Sequence, residues 1–287
     1  MNPTDTLLRT RDGDPPVVDA LRRAMRGRVV APSDPGWDEA WAAWNLSADQ
    51  RPELVAFPAD ATDVQLVVHH AAEHGLRVAP QSTGHAALTL DCDGAVLVRL
   101  SGMRGISVDP EARIARAEGG AWWADVTAAA AAHGLVALAG SSPDVGIGGY
   151  CLGGGVSWLG RRHGLATNAV RAFELVTADG RLVRCDADHE PELFWALRGG
   201  GGNFGVVTAI EMQLLPITEV VAGVLFFPWE RSREVLHAWS EWTRTVPDEV
   251  TSVGRILQFP ALPEIPEPLR GGPVSYTHLT LPTIYSV

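Results

Sequence analysis

The sequence predicts an α+β fold: a mixed domain of strands and helices up to Pro216, then the beginning of a second α+β unit. Three observations predict it. From Leu54 to Glu118, β-type runs sit either side of one helical pattern, and an Ala-rich helix follows across short connections. Three glycine-bearing loops interrupt this order: Pro80–Gln81–Ser82–Thr83–Gly84–His85, the run GSSPDVGIGGYCLGGGVSWLGRRH over 140–163, and Leu197–Arg198 followed by GGGGNFGVV over 199–207. After Pro216 the character changes to a hydrophobic run, an amphipathic helix and another strand-like run. Glycine adopts positive φ and presents no Cβ, so three such loops point to a large cofactor threaded between them.

The elements follow in order. Residues 1–50 read as a peripheral lead-in, with helical spacing over Val17–Met25 and a turn plus short helix in PSDPGWDEAWAAWN. Leu54–Phe57 is a strand stopped by Pro58. TDVQLVVHHAAEHG is a helix with an Asp near its start and Gly75 at its end. Arg77–Ala79 is a strand delivering the chain into the first loop. Strands at Ala95–Leu100, Gly105–Asp109 and Ile114–Glu118 lead to a helix over Trp122–His133. The glycines of the long central run break a helix-like segment into loop, short helix and loop. Val170–Thr177 and Leu182–Cys185 form a hairpin at Asp179–Gly180. A helix over Glu190–Leu197 precedes the third loop, and Val206–Leu215 is a strand ended by Pro216. Val220–Phe227, Glu230–Arg244 and Val253–Phe259 complete one strand–helix–strand unit, and a Pro-rich stretch runs to Gly272.

A net charge of −11 argues against nucleic acid or an anionic membrane as partner. The N-terminal segment lacks the apolar core of a signal peptide, and no window has the length of a transmembrane helix. Cys92, Cys151 and Cys185 are too few and scattered for a disulfide framework or a zinc site, so a reduced, cytoplasmic protein is expected. All 23 basic residues are Arg, which fits the codon bias of a GC-rich bacterial genome. The closing PVSYTHLTLPTIYSV reads like a translated sequencing-library adapter. Residues 273–287 are therefore expected to be a non-native tail on a truncated chain, leaving Val220–Phe227 exposed and excluding Tyr276 and Tyr285 from the site.

Each motif has competing readings. Gly200, Gly202 and Gly205 satisfy G-x-G-x-x-G, but a helix precedes and a strand follows, the reverse of a dinucleotide turn. Ser157 lacks the G-x-S-x-G spacing of a nucleophile elbow and reads as a packed loop residue. His70 and His74 with Glu73 do not form H-E-x-x-H; together with His69 and His133 they read as exposed positions. No metal site is expected. His85 sits in a loop after a buried strand. A satisfied loop residue, an acid–base group and a covalent anchor all remain open there, and residue type favours the first.

Taken together, PQSTGH, GGAWWADV, GIGGYCLGGG, HGLATNAV, ELVTADG and FWALRGGGGNFGVVT, in that order over roughly 52–216, resemble FAD-linked oxidoreductases of the vanillyl-alcohol-oxidase type, berberine-bridge-enzyme-like branch. The resemblance implies a PCMH-type FAD-binding domain of two α+β subdomains over 51–217, then the start of a substrate domain over 218–272. It implies that the first loop, Gln81, Ser82, Thr83, Gly84, His85 and Ala86, cradles the FAD pyrophosphate through backbone N–H groups. It also implies a covalent bond from His85 to the flavin 8α-methyl. Ser142 stands where many relatives carry a second, cysteinyl link, so a single link is implied. Val145, Gly146, Gly149, Gly153, Gly154, Asn168 and Val207 match positions lining the flavin, Asn168 replacing a frequent Asp. The implied chemistry is hydride removal from an alcohol-, amine- or sugar-type C–H to flavin N5, with dioxygen as acceptor. The partners are a small-molecule substrate and oxygen. The catalytic base and the oligomeric state stay unassigned. A non-catalytic flavin-binding fragment and an NAD-dependent dehydrogenase are the rival readings.

Overall fold

The structure, a computed structural model, describes residues 16–282, with side chains over 18–276. Residues 1–15 of the expected lead-in and 283–287 of the expected tail, Tyr285 among them, lie outside the described residues.

The first subdomain contains α1 (Pro16–Ala24), β1 (Arg28–Val30), α2 (Trp37–Trp41), β2 (Leu54–Phe57), α3 (Ala61–Glu73), β3 (Arg77–Gln81) and β4 (Ala95–Arg99). Its sheet has the order β1-β2-β4-β3, with β2 and β3 parallel to β4 and β1 antiparallel to β2. Val64, Val67, Val68 and Ala71 of α3 pack on Leu54, Ala56, Val96 and Val98. The lead-in is not peripheral. Val18, Leu21, Met25 and Val29 enter the same core, and β1 extends the sheet. Buried Asp63 ties the two together: its carboxylate accepts from Arg26 N (2.9 Å), Gly27 N (2.8 Å) and Ala59 N (2.9 Å). Three backbone donors satisfy a charge that would otherwise be costly to bury.

The second subdomain contains β5 (Ile106–Asp109), β6 (Ile114–Glu118), α4 (Trp123–Ala131), α5 (Ile147–Leu152), α6 (Gly160–His163), α7 (Ala166–Ala169), β7 (Val170–Val176), β8 (Leu182–Asp186), α8 (Pro191–Leu197) and β9 (Val206–Gln213). Its antiparallel sheet has the order β5-β6-β9-β7-β8. The predicted β7–β8 hairpin turns at Gly180, whose φ is +77°. As predicted, the G-x-G-x-x-G run follows a helix and precedes a strand.

The two subdomains meet along α3. Val176 and Val206 belong to its core cluster, and Gln65 Nε2 donates to Gly180 O at 2.7 Å. His70 corrects the expectation of an exposed histidine. It is buried, its Nε2 has no partner, and its ring tilts against His74 at 4.4 Å. Burial, with the neighbouring His74, holds its pKa below the ordinary histidine value. His69 and His74 are exposed, as is His133.

The third unit contains β10 (Val220–Pro228), α9 (Ser232–Trp242), β11 (Thr251–Gln258) and β12 (Pro273–Pro282). Its antiparallel sheet has the order β10-β12-β11, so the described part of the expected tail forms the central strand, with Tyr276 paired to Phe226 and Arg255. Arg161 links this unit to the second subdomain, donating to Val250 O (3.1 Å) and Val246 O (3.2 Å). β10 is exposed along nearly all its length, as expected for Val220–Phe227. Among the described residues no helix is long and apolar enough to cross a membrane.

Candidate cofactor site at the loop junction

The three glycine-bearing loops converge. β3 ends at Gln81 and the chain turns at Gly84, whose φ of +86° and close approach to Ala43 (2.8 Å from an added Cβ) both require glycine. The second loop meets it at Gly146: a Cβ there would lie 2.1 Å from Ser82 Oγ, and Gly146 N donates to Thr83 Oγ1 at 3.3 Å. The third loop closes the junction. Gly202 faces Pro80, and Gly201 N donates to Leu152 O at 3.1 Å.

His85 stands at the edge of this junction in a structured setting. Its Nδ1 pairs with Thr83 Oγ1 at 2.8 Å. Trp44 stacks on its ring, centroids 4.0 Å apart and planes 14° from parallel. Asp144 Oδ1 lies 3.8 Å from Nε2, and Asp144 Oδ2 accepts from Trp44 Nε1 at 2.7 Å. Sequence reasoning missed both partners. Trp44 lay in the supposed lead-in, and Asp144 was one acidic residue in a glycine-rich run, a hundred positions away.

The central glycines divide by what surrounds them. Gly140 and Gly155 make room for Tyr150, since a Cβ would lie 2.9 Å and 2.3 Å from its ring. Gly148 packs on Gly119 O, and Gly119 in turn on Val207 O. These serve the fold. Gly149 has nothing within 4 Å of an added Cβ, so it opens onto free space. Gly153 and Gly154 end α5: Gly154 has φ +102°, and its carbonyl accepts from Thr167 N at 2.9 Å.

The other predicted positions are placed as follows. Val145 O accepts from Trp123 N at 3.0 Å, holding the second loop on α4. Ser142 is half-buried and Ala86 exposed, both on the loops that meet here. The Val207 side chain lies in the core of the second subdomain. Asn168 is exposed; its Oδ1 accepts from Leu165 N at 2.8 Å, capping α7, and it borders a separate cleft of about 590 Å³ beside Trp195 and Arg198. Cys151 is fully buried and its thiol is pushed up to about 12 by burial, so it offers no thiolate. Ser157 is buried, with Oγ accepting from Leu159 N at 3.2 Å, as a packed loop residue does.

Buried polar groups without partners show what the junction is built to hold. Both amide atoms of Gln81, Ser82 Oγ and His85 Nε2 are buried with no hydrogen-bond partner. These four atoms within five residues leave unused hydrogen-bonding capacity at the junction. A nest of polar atoms and open glycine backbone suits the phosphate and ring system of a flavin dinucleotide. Gln81, Ser82, Thr83, His85, Gly146 and Gly149 are the predicted positions that the structure brings to this junction.

Two α+β subdomains meet at this junction, and the glycine run over 199–205 follows a helix and leads into a strand. Residues 52–186 match the family described as FAD binding domain. The chain is 38% identical over 211 residues to (R)-6-hydroxynicotine oxidase of Paenarthrobacter nicotinovorans, covering 73% of this chain and 46% of the relative. It is 31% identical over 233 residues to xylooligosaccharide oxidase of Thermothelomyces thermophilus, covering 78% and 47%. The crystal structure of 6-hydroxy-D-nicotine oxidase from Arthrobacter nicotinovorans superposes with a TM-score of 0.81 at 31% identity, over 91% of this chain and 56% of that one. The chain contains a FAD binding domain and is related to FAD-linked oxidoreductases, the oxidases above among them. It spans about half the length of the curated relatives it matches.

Proposed function

We propose that this chain is the FAD-binding part of a FAD-dependent oxidase acting on an alcohol-, amine- or sugar-type C–H bond, with dioxygen as acceptor. The observation that carries the reading is the cluster of orphaned buried polar atoms on Gln81, Ser82 and His85 where the three loops meet. The names of the relatives support the substrate class, one acting on a hydroxynicotine and one on an oligosaccharide. FAD, when bound, accepts two electrons from the substrate and returns them to dioxygen. The chain's own residues bind and orient it. The backbone of Ser82, Thr83, Gly84 and Ala86 would hold the pyrophosphate, and Val145, Gly146 and Gly149 would meet the ring system. His85 is the single covalent anchor, because Ser142 occupies the position of a second one and Cys151 is buried away from it.

The test is anaerobic bleaching of the bound flavin by a panel of hydroxylated N-heterocycles, amines and oligosaccharides, without added nicotinamide nucleotide. Reduction, followed by recolouring and peroxide release in air, is the expected result. A flavin that no panel member reduces, in a chain that nevertheless binds FAD, would favour a non-catalytic flavin-binding fragment.

A further inference from the structure

We propose that Asp144 takes the Nε2 proton of His85 as that histidine bonds the flavin, and that Trp44 holds both groups in place. The inference rests on the histidyl link proposed above. The groups around the ring accommodate the tautomer with its proton on Nε2. Gly146 N–H donates to Thr83 Oγ1, so the Thr83 hydroxyl proton is available to His85 Nδ1, 2.8 Å away. In that tautomer Nδ1 accepts from the hydroxyl and Nε2 carries the proton. That Nε2 is buried, without a hydrogen-bond partner, and 3.8 Å from Asp144 Oδ1. A shift of under about 1 Å brings the two to hydrogen-bond distance.

Trp44 braces the arrangement at three points. Its indole lies flat on the imidazole, its Nε1 holds the second Asp144 oxygen, and its backbone N donates to Thr83 O at 3.0 Å. Ring plane, carboxylate and first loop are therefore fixed by one residue. Only Nδ1 has a lone pair for bond formation, once it leaves the Thr83 hydroxyl.

The step balances. A bond forms from Nδ1 to the flavin 8α-carbon, and one C–H bond of that methyl breaks. Two electrons enter the flavin ring and pass on to dioxygen. Dioxygen takes up the two released protons, one from the methyl and one from Nε2 by way of Asp144, and leaves as hydrogen peroxide. Asp144 and Trp44 are positioning residues, acting through His85.

The experiment adds FAD in air to the chain prepared without flavin. It follows the fluorescent band on a denaturing gel over time, alongside freely exchangeable FAD and the melting temperature. The unaltered chain should accumulate covalent flavin. Asp144→Asn keeps an acceptor for Trp44 but cannot take the proton, and should slow accumulation by about tenfold or more, with exchangeable FAD binding and melting unchanged. Trp44→Phe keeps a stacked ring and loses the indole N–H, and should slow it several-fold. Wild-type rates in Asp144→Asn would overturn the proposal. If Asp144→Asn does not fold, Trp44→Phe decides, and an unchanged rate there overturns it equally. Absence of covalent flavin in the unaltered chain, or its persistence in His85→Ala, would instead sink the histidyl link itself.

Discussion

β4 and β10 are both apolar strands in sequence, AVLVR and VVAGVLFFP, yet their surroundings are opposite. Ala95, Val96, Leu97 and Val98 are 0% exposed, whereas Val221 and Leu225 are 57% and 62% exposed. β4 is flanked by β2 and β3, with α3 on one face and Ala40, Trp37 and Trp41 on the other. β10 is the edge of its sheet, and α9 covers little of it. An apolar strand stabilises a fold only through the area that other elements remove from water, about 25 cal/mol per Å². The same residue type therefore carries very different weight in the two places.

Substitutions at the two kinds of position can break or sharpen this contrast. The largest effect is expected at Gly120, where an added Cβ would lie 1.7 Å from Leu100 O. Gly120→Ala should cost more than about 4 kcal/mol or prevent folding. Gly223, in the exposed β10, has nothing within 4 Å, and Gly223→Ala should change stability by no more than about 1 kcal/mol. Urea melts of both variants check the pair, and similar losses would refute the contrast.

Next comes Leu97→Ala, which opens a cavity at a fully buried site and should cost about 2–5 kcal/mol. Leu225→Thr in β10 should stay within about 0.5 kcal/mol and reduce self-association in light scattering, because it removes apolar surface from an unpaired edge.

A smaller effect is electrostatic. Arg116 donates to both Glu174 oxygens, Nε at 2.9 Å and the terminal nitrogen at 2.7 Å, joining β6 to β7 across the neighbouring β9. This pairing holds the Glu174 carboxyl below the usual carboxylate range. A carboxylate whose pKa is lowered by folding contributes stability above its unfolded pKa and loses it as pH falls through the folded value. Glu174→Gln should therefore cost about 1 kcal/mol at neutral pH, discounted for partial solvent exposure. The difference from wild type should vanish in acid, below the Glu174 folded pKa; a constant gap across a pH series of melts would contradict this.

The smallest signal is chemical. Cys92, Cys151 and Cys185 are buried free thiols, and burial raises all three, Cys185 to about 11 and Cys151 to about 12. A thiol reagent at pH 8 should titrate almost none of them until denaturant is added. Rapid labelling of the folded chain would show that the packing around at least one of these thiols is looser than described.

Much of this was legible because local chemistry announces itself. The β7–β8 turn at Asp179–Gly180, the stop of β2 at Pro58 and the helix-before-loop context of Gly200–Gly205 were readable from adjacent residues. Convergence of the three loops was anticipated too, although what each glycine makes room for was not. Gly140 and Gly155 look like Gly149 in sequence, but the first two clear space for Tyr150 and only the last opens outward. The same limit hid the pairing of Trp44 with Asp144 and the burial of His70, both settled by elements distant in the chain.

The sequence by itself determined the α+β alternation, the positions of most strands and helices, and the flavin-binding class. These follow from periodicity, turn residues and motif order, which act over a few residues at a time. Only the tertiary structure decided that the lead-in belongs to the first core, that β12 takes the centre of the last sheet, and that His85 lies between Trp44, Thr83 and Asp144. Burial and side-chain pairing depend on which distant segments arrive at the same place, and a local pattern carries no record of that arrival.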